Sequence, residues 1–268
     1  MNSTQFTSRY SFGLFVLLGA AFFATPASAQ ETYFAVPDGI AMNRILPAIR
    51  FGAEYKSSDL DQHKYYARTQ TVDAYGEFAF NENVSIAGYL PWTRKKETNI
   101  KSHTRFDNLG LGVHGALPGS TFIPVAGLDL TLPTGSEKVG IGSKRIFNIE
   151  PYAGLAFHDG IFSITGLAKY NTQSNRRFRE DPEKQDDFER TWLANVGLGL
   201  NFEVTDLLLE YQYRYTYDPD PKRKSIHTIA PGLNLKVDHF IFSFSVPCAL
   251  SKQREFDYGV ILRAGMRF

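Results

Sequence analysis

The sequence predicts an all-β fold, a transmembrane antiparallel β-barrel of about 12 strands with both termini on the periplasmic side. Three observations carry the prediction. Apolar and polar residues alternate through most of the chain, a strand runs to the last residue, Phe268, and the connections are alternately short and long. A period of two sends successive side chains to opposite faces of a strand. Beyond residue 29 no apolar run approaches the roughly 20 residues that a membrane-spanning helix needs. A backbone in lipid must satisfy its own hydrogen bonds, which leaves the closed barrel as the way across.

Residues 1–29 read as a cleavable signal peptide and 30–268 as the barrel, with Gln30 the first mature residue. The leader carries one charge, Arg9, then an apolar run from Phe12 to Phe23 and an Ala27-Ser28-Ala29 cleavage pattern. That run is too short for a membrane anchor. Cys248 is the sole cysteine, which excludes an internal disulfide framework, a cysteine-based zinc site and a lipid-modified N-terminal cysteine. The sequence holds 29 basic and 28 acidic residues, so losing Arg9 with the leader leaves the mature chain formally neutral. Nucleic acid is set aside as a partner on that balance, because phosphates favour a basic face.

The alternation gives each strand a span and a pair of faces. The first, 44–56, turns Arg50 and Glu54 to one side, and the second, 66–80, does the same with Asp73 and Glu77. The third covers 84–95, and the fourth, 105–117, sets His114 beside Gly112 and Ala116. Asp129 lies on the polar face of 121–132, Glu150 on that of 146–157 and Lys169 on that of 161–173. In 190–202, Trp192, Val196, Leu198 and Leu200 oppose Thr191, Asn195 and Asn201. In 207–217, leucines and tyrosines at odd positions oppose Glu210, Gln212 and Arg214. Strand 225–236 carries Lys236, and 239–250 puts Phe240, Phe242 and Phe244 opposite Ser243 and Ser245. The last, 256–268, sets Tyr258, Val260, Leu262, Met266 and Phe268 against Arg263 and Arg267.

The short connections carry turn chemistry: Asn81-Glu82-Asn83, Pro118-Gly119-Ser120, His158-Asp159-Gly160, Glu203 to Asp206 and Val237-Asp238. The segments between them are longer and polar, the longest running from about 172 to 189. Short turns on one rim and long loops on the other are the asymmetry of outer-membrane barrels. With apolar faces turned to lipid, the thirteen charged residues named above, from Arg50 to Arg267, line the lumen. Both signs occur, so mutual pairing accounts for them; a polar path that selects among small solutes is the sharper reading. A barrel of about 12 strands falls between side-chain-filled small barrels and wide aqueous channels, which points to a narrow or partly plugged pore.

The C-terminal pattern, apolar at alternate positions and ending on Phe268, resembles the C-terminal signature of bacterial outer-membrane barrels. That resemblance implies that Tyr258, Val260, Leu262, Met266 and Phe268 form the segment read by the barrel-assembly machinery, with outer-membrane lipid around the finished barrel. A second resemblance covers roughly residues 80 to 175. Asn83-Val84-Ser85 leading to Leu90-Pro91-Trp92, Asn108-Leu109-Gly110-Leu111-Gly112, and Leu132-Pro133-Thr134-Gly135-Ser136 before a strand through Pro151-Tyr152 are similar to a set of outer-membrane transporters. Those are associated with the meta-cleavage pathway of phenol degradation, which implies passage of small solutes, hydrophobic or aromatic ones included. The family often has Gly-Asp where this chain has Asp107-Asn108.

Catalysis is set aside. Outer-membrane phospholipase A is also a barrel and uses a His-x-Ser pair, whereas the nearest local match here, Asn171-Thr172-Gln173-Ser174-Asn175, has Thr172 in place of the base. Without an imidazole to accept its proton, a serine hydroxyl is a poor nucleophile. The six histidines lack metal-ligand spacing, and Asp59, Asp61 and the acids of 181–187 lack that of a calcium loop. The 132–143 loop has no P-loop lysine, and no cofactor is expected. The function expected is a passive channel for small solutes. A surface-interaction barrel without a conducting pore, and more distantly a lipid-modifying enzyme, stay open as alternatives.

Overall fold

The computed structural model describes residues 46–268 apart from 63–64, 99, 118–120, 137–140, 145, 176–189, 218–223 and 253. The leader, the Pro118-Gly119-Ser120 turn and the charged core of the 172–189 loop lie outside the described residues. The first six strand segments are β1 (Arg50–Gln62), β2 (Tyr65–Ala79), β3 (Val84–Glu97), β4 (Ile100–Phe106), β5 (Gly110–Ala116) and β6 (Phe122–Thr131). Next come β7 (Ile146–Asp159), β8 (Phe162–Asn175), β9 (Arg190–Asn201) and β10 (Thr205–Tyr217). The last four are β11 (Lys224–Val237), β12 (Phe240–Ser245), β13 (Cys248–Ala249) and β14 (Tyr258–Arg267). All pair antiparallel with their neighbours in one sheet, and β14 returns to β1, from Arg50 opposite Arg267 to Asp59 opposite Tyr258. The β14–β1 pairing closes the circuit and spares those two strands unpaired backbone groups, each of which would cost several kcal/mol in lipid; among the described residues β4 pairs only with β3.

The 14 segments make 12 barrel staves, because two staves are each broken once. β4 and β5 both pair with β3, and β12 and β13 both lie between β11 and β14. The sequence read each pair as one continuous strand, 105–117 and 239–250. The correction has a shared physical reason. Proline donates no backbone hydrogen bond, so it interrupts a ladder. Pro91 of β3 faces the first break, where four residue steps on one stave (Phe106 to Gly110) oppose three on the other (Trp92 to Tyr89). At the second break Pro247 lies in the stave itself, opposite a β11 that carries Pro231.

The first stave also differs from its expected 44–56 span. It starts at Arg50, after Pro47, and continues to Gln62. The polar run Ser57 to Asp61 looks like loop by composition, yet it pairs residue for residue with Tyr66 to Gln70. Asp59 and Arg68 meet there at 2.6 Å. Barrel strands extend past the bilayer in this way, because cross-strand partners rather than burial stabilise them.

The outer face is apolar and the inner face polar, the reverse of a soluble sandwich. Leu207, Leu209, Leu198 and Phe242 are exposed, whereas Glu210, Asn195, Asn234 and Ser243 on the alternate positions are buried. Aromatic contacts gather at the two rims. Phe51–Phe268, Phe78–Phe80 and Phe122–Phe157 lie by the short turns, while Trp92–Phe106 and Tyr170–Trp192 lie toward the long loops. Such girdles suit the bilayer interface, where an amphipathic ring is half in lipid. Left-handed residues close two of the tight turns, Gly160 at φ 57° and Asp238 at φ 51°.

Inside, the short-turn end is filled. Leu46, just before β1, is buried among Ala116, Ile123, Val125, Ala156 and Leu167, and its carbonyl accepts a hydrogen bond from Arg50. Tyr152 joins this cluster because Gly127 faces it across β6 and β7. A Cβ on Gly127 would lie 2.3 Å from the Tyr152 ring.

Candidate functional site

The site is the barrel interior. A chain of polar contacts runs along its wall from β1 to β8. Arg50 donates to Glu77 at 2.7 Å, and Glu77 also accepts from Ser85. His114 sits between carboxylates, its Nδ1 3.2 Å from Glu77 and its Nε2 3.4 Å from Asp129. Lys169 donates to Asp129 at 2.9 Å and lies 3.7 Å from Glu150, which accepts from Asn171. The Lys169 ammonium is also 5.2 Å from the Tyr152 ring. Arg50, Glu77, His114 and Lys169 are almost wholly buried; Asp129 and Glu150 are partly exposed. Burying a charge without a partner is expensive, so a dry wall carries charges only in satisfied networks.

Further ion pairs continue the pattern. Across the closing seam Arg263 donates to Glu54 at 2.7 Å, both side chains buried, and Lys56 spans Glu54 and Asp73 at 2.5 and 3.1 Å. Lys236 meets Asp206 at 2.8 Å, and Arg214 meets Glu255 at 2.6 Å. Glu210 and Arg267 are buried on the same inner face. Of the thirteen charged residues named from the alternation, nine are buried, and Asp129, Glu150, Arg214 and Lys236 are partly exposed. Tyr258, Leu262 and Phe268 stand on the outer face, exposed. Phe268 stacks on Phe51 and His239, and its N–H donates to the Ile49 carbonyl at 2.9 Å.

Several interior residues escaped the sequence reading. Asp206 looked like part of a turn but is buried against Lys236. Tyr152 shares a face with Glu150, so the same alternation could have found it. Glu255 comes from the connection before β14, and only the fold brings it to Arg214. In that connection Asp257 accepts a hydrogen bond from the Asp61 backbone N–H at 2.6 Å and another from Arg254. The Asp61 N–H first, and Arg254 after it, hold the Asp257 carboxyl below the usual carboxylate range.

The described residues of the 132–143 loop fold back on the broken stave. The Asn108 side-chain oxygen accepts from the backbone N–H groups of Gly135 and Ser143, at 2.8 and 2.9 Å, and Ile141 is buried beneath. Gly142, at φ 66°, makes the turn, and a Cβ there would meet Asp107 and Asn108. Asn108, where the resembled family departs from this chain, is thus the pin of the loop.

Between β7 and β10 the lining opens into a cavity of about 330 Å³. Its walls carry Asn171, Gln173, Thr191, Asn195, Gln212 and Thr216, with Leu193 as an apolar patch.

Among solved structures, an outer-membrane channel from Pseudomonas putida F1 is similar, with a TM-score of 0.68 at 12% identity, covering 91% of this chain and 100% of that one. The fold is that of an outer-membrane β-barrel. The apolar belt and rim aromatics agree with that solvent, which places the chain in the bacterial outer membrane. The β domain of the Bordetella autotransporter BrkA gives a TM-score of 0.56 at 9% identity over 83% of this chain and 100% of that one. The translocator domain of the autotransporter NalP from Neisseria meningitidis gives 0.52 at 12% identity over 96% and 95%. No family model matches the sequence. No curated protein matches it either.

Proposed function

We propose that this barrel is a passive, non-catalytic channel for small solutes in the bacterial outer membrane. The observation that carries the reading is the interior. Its charges are matched along the wall while amides and hydroxyls line an unfilled cavity, an arrangement that suits a hydrated path rather than a packed core. The similarity to the Pseudomonas channel supports it, as that protein is itself an outer-membrane channel. Residues 1–29 direct export, the β14 outer face serves assembly, and both termini are periplasmic. The sequence resemblance extends the cargo toward hydrophobic or aromatic molecules, whereas the polar lining favours a water-filled route. Purified protein in planar bilayers gives discrete conductance steps under this reading. A barrel that inserts, shifts on gels when unboiled and conducts nothing would refute it and favour a surface-interaction role.

A further inference from the structure

We infer that the cavity between β7 and β10 is a binding site for a neutral, hydroxyl-rich solute of monosaccharide size. This rests on the channel reading for its physiological sense, and names the solute class that such a channel would admit. The site is built as a grid of neighbouring staves. Asn171, Thr191 and Thr216 form one level, Lys169, Leu193 and Arg214 the next, and Leu167, Asn195 and Gln212 the third, each row in register across β8, β9 and β10. The volume of about 330 Å³ is at the lower end of small-molecule sites, which run from about 300 to 1,000 Å³.

Its chemistry selects against net charge. Among the described residues, the ionic groups on its walls are Lys169, Arg214, Glu150 and Glu255, two of each sign. Lys169 already meets Asp129 and Glu150, and Arg214 meets Glu255. An anion or a cation entering there finds no excess counter-charge among the described residues. What is left to bind is neutral. Asn195 is 5% exposed, and its Oδ1 has no hydrogen-bond donor among the described residues. A buried carbonyl oxygen without a donor is costly, so the site is completed by a ligand that donates. Gln212, directly opposite Asn195, supplies both a donor and an acceptor. A sugar hydroxyl both donates and accepts, and Leu193 offers an apolar surface to a ring's C–H face. An aromatic hydrocarbon, with no hydroxyl, satisfies none of these groups.

Saturation-transfer NMR on the detergent-solubilised full-length barrel tests this, with methyl α-glucoside, glucuronate and toluene as probes. Expected is transfer to the glucoside above that to glucuronate. It falls by about 2- to 10-fold in Asn195→Leu and in Gln212→Leu, the factor one neutral hydrogen bond is worth. Gel migration without boiling confirms that each variant is folded, and either variant alone suffices. Glucoside transfer that is absent, or unchanged in a folded variant, overturns the inference, as does toluene being the probe that depends on Asn195. Silence in planar bilayers would sink the channel reading alone, with glucoside transfer still deciding the site.

Discussion

Replacing Glu54 by leucine removes one half of the buried pair that ties β14 to β1. Glu54 and Arg263 are directly opposed in the seam, and their side chains are 4% and 6% exposed. Taking away the carboxylate leaves the guanidinium in a dry wall, a loss of about 3–5 kcal/mol in comparable buried pairs. The reverse change, Arg263→Leu, is milder, about 1–3 kcal/mol, because Glu54 keeps Lys56 at 2.5 Å. With both replaced no charge is stranded, and the double variant is expected within about 1 kcal/mol of the parent or above it. Urea-dependent folding into lipid vesicles, followed by gel migration without boiling, measures all four chains as a double-mutant cycle. A double variant as unstable as Glu54→Leu, or the two single changes in the opposite order, would refute the reasoning.

Phe268→Asp exchanges a ring stacked on Phe51 and His239 for a charge at the rim. Stability should drop by about 2 kcal/mol, and the yield of folded barrel in cells, read on unboiled gels, by more than that implies. Gly127→Val places methyls into the Tyr152 ring and should destabilise by about 1–3 kcal/mol in the same vesicle titration, with Tyr152→Ala in the same chain recovering most of the loss. The Asp257 carboxyl titrates lower folded than unfolded, so its fastening of β1 to the last connection is complete at neutral pH. It weakens as pH falls below about 4 and through the depressed value, seen as faster amide exchange at Asp61; protection that is flat with acidification contradicts this.

The barrel was legible because lipid outside and water inside impose one strict rule on every stave. Trp192 to Leu200 and Leu207 to Tyr217 obey it without interruption, so their faces follow from spacing alone. Where proline removes a donor, as at Pro91 and Pro247, hydropathy still alternates while the hydrogen-bond ladder stops, and spacing cannot register the break. The span of β1 was displaced for another reason. Ser57 to Asp61 are polar on both faces and pair outside the apolar belt, where alternation carries no information. The interior was readable as a set of inward charges, whereas their partners depended on closure. Glu54 and Arg263 are separated by 209 positions, and Glu255 reaches Arg214 only because a connection folds inward.

The described ion pairs between strands, such as Arg50–Glu77, Lys169–Asp129, Lys236–Asp206 and Arg263–Glu54, run sideways along the wall to an adjacent stave or one stave further. None of those four reaches a stave on the far side. Sliding one stave past the next by a single residue would part such contacts and turn charged groups toward lipid, so shear is strongly resisted. Flattening the round cross-section into an oval separates none of them, because lateral neighbours stay neighbours. The wall is therefore rigid along the staves and compliant across them. A tube of that kind can change its width on one axis without surrendering its register.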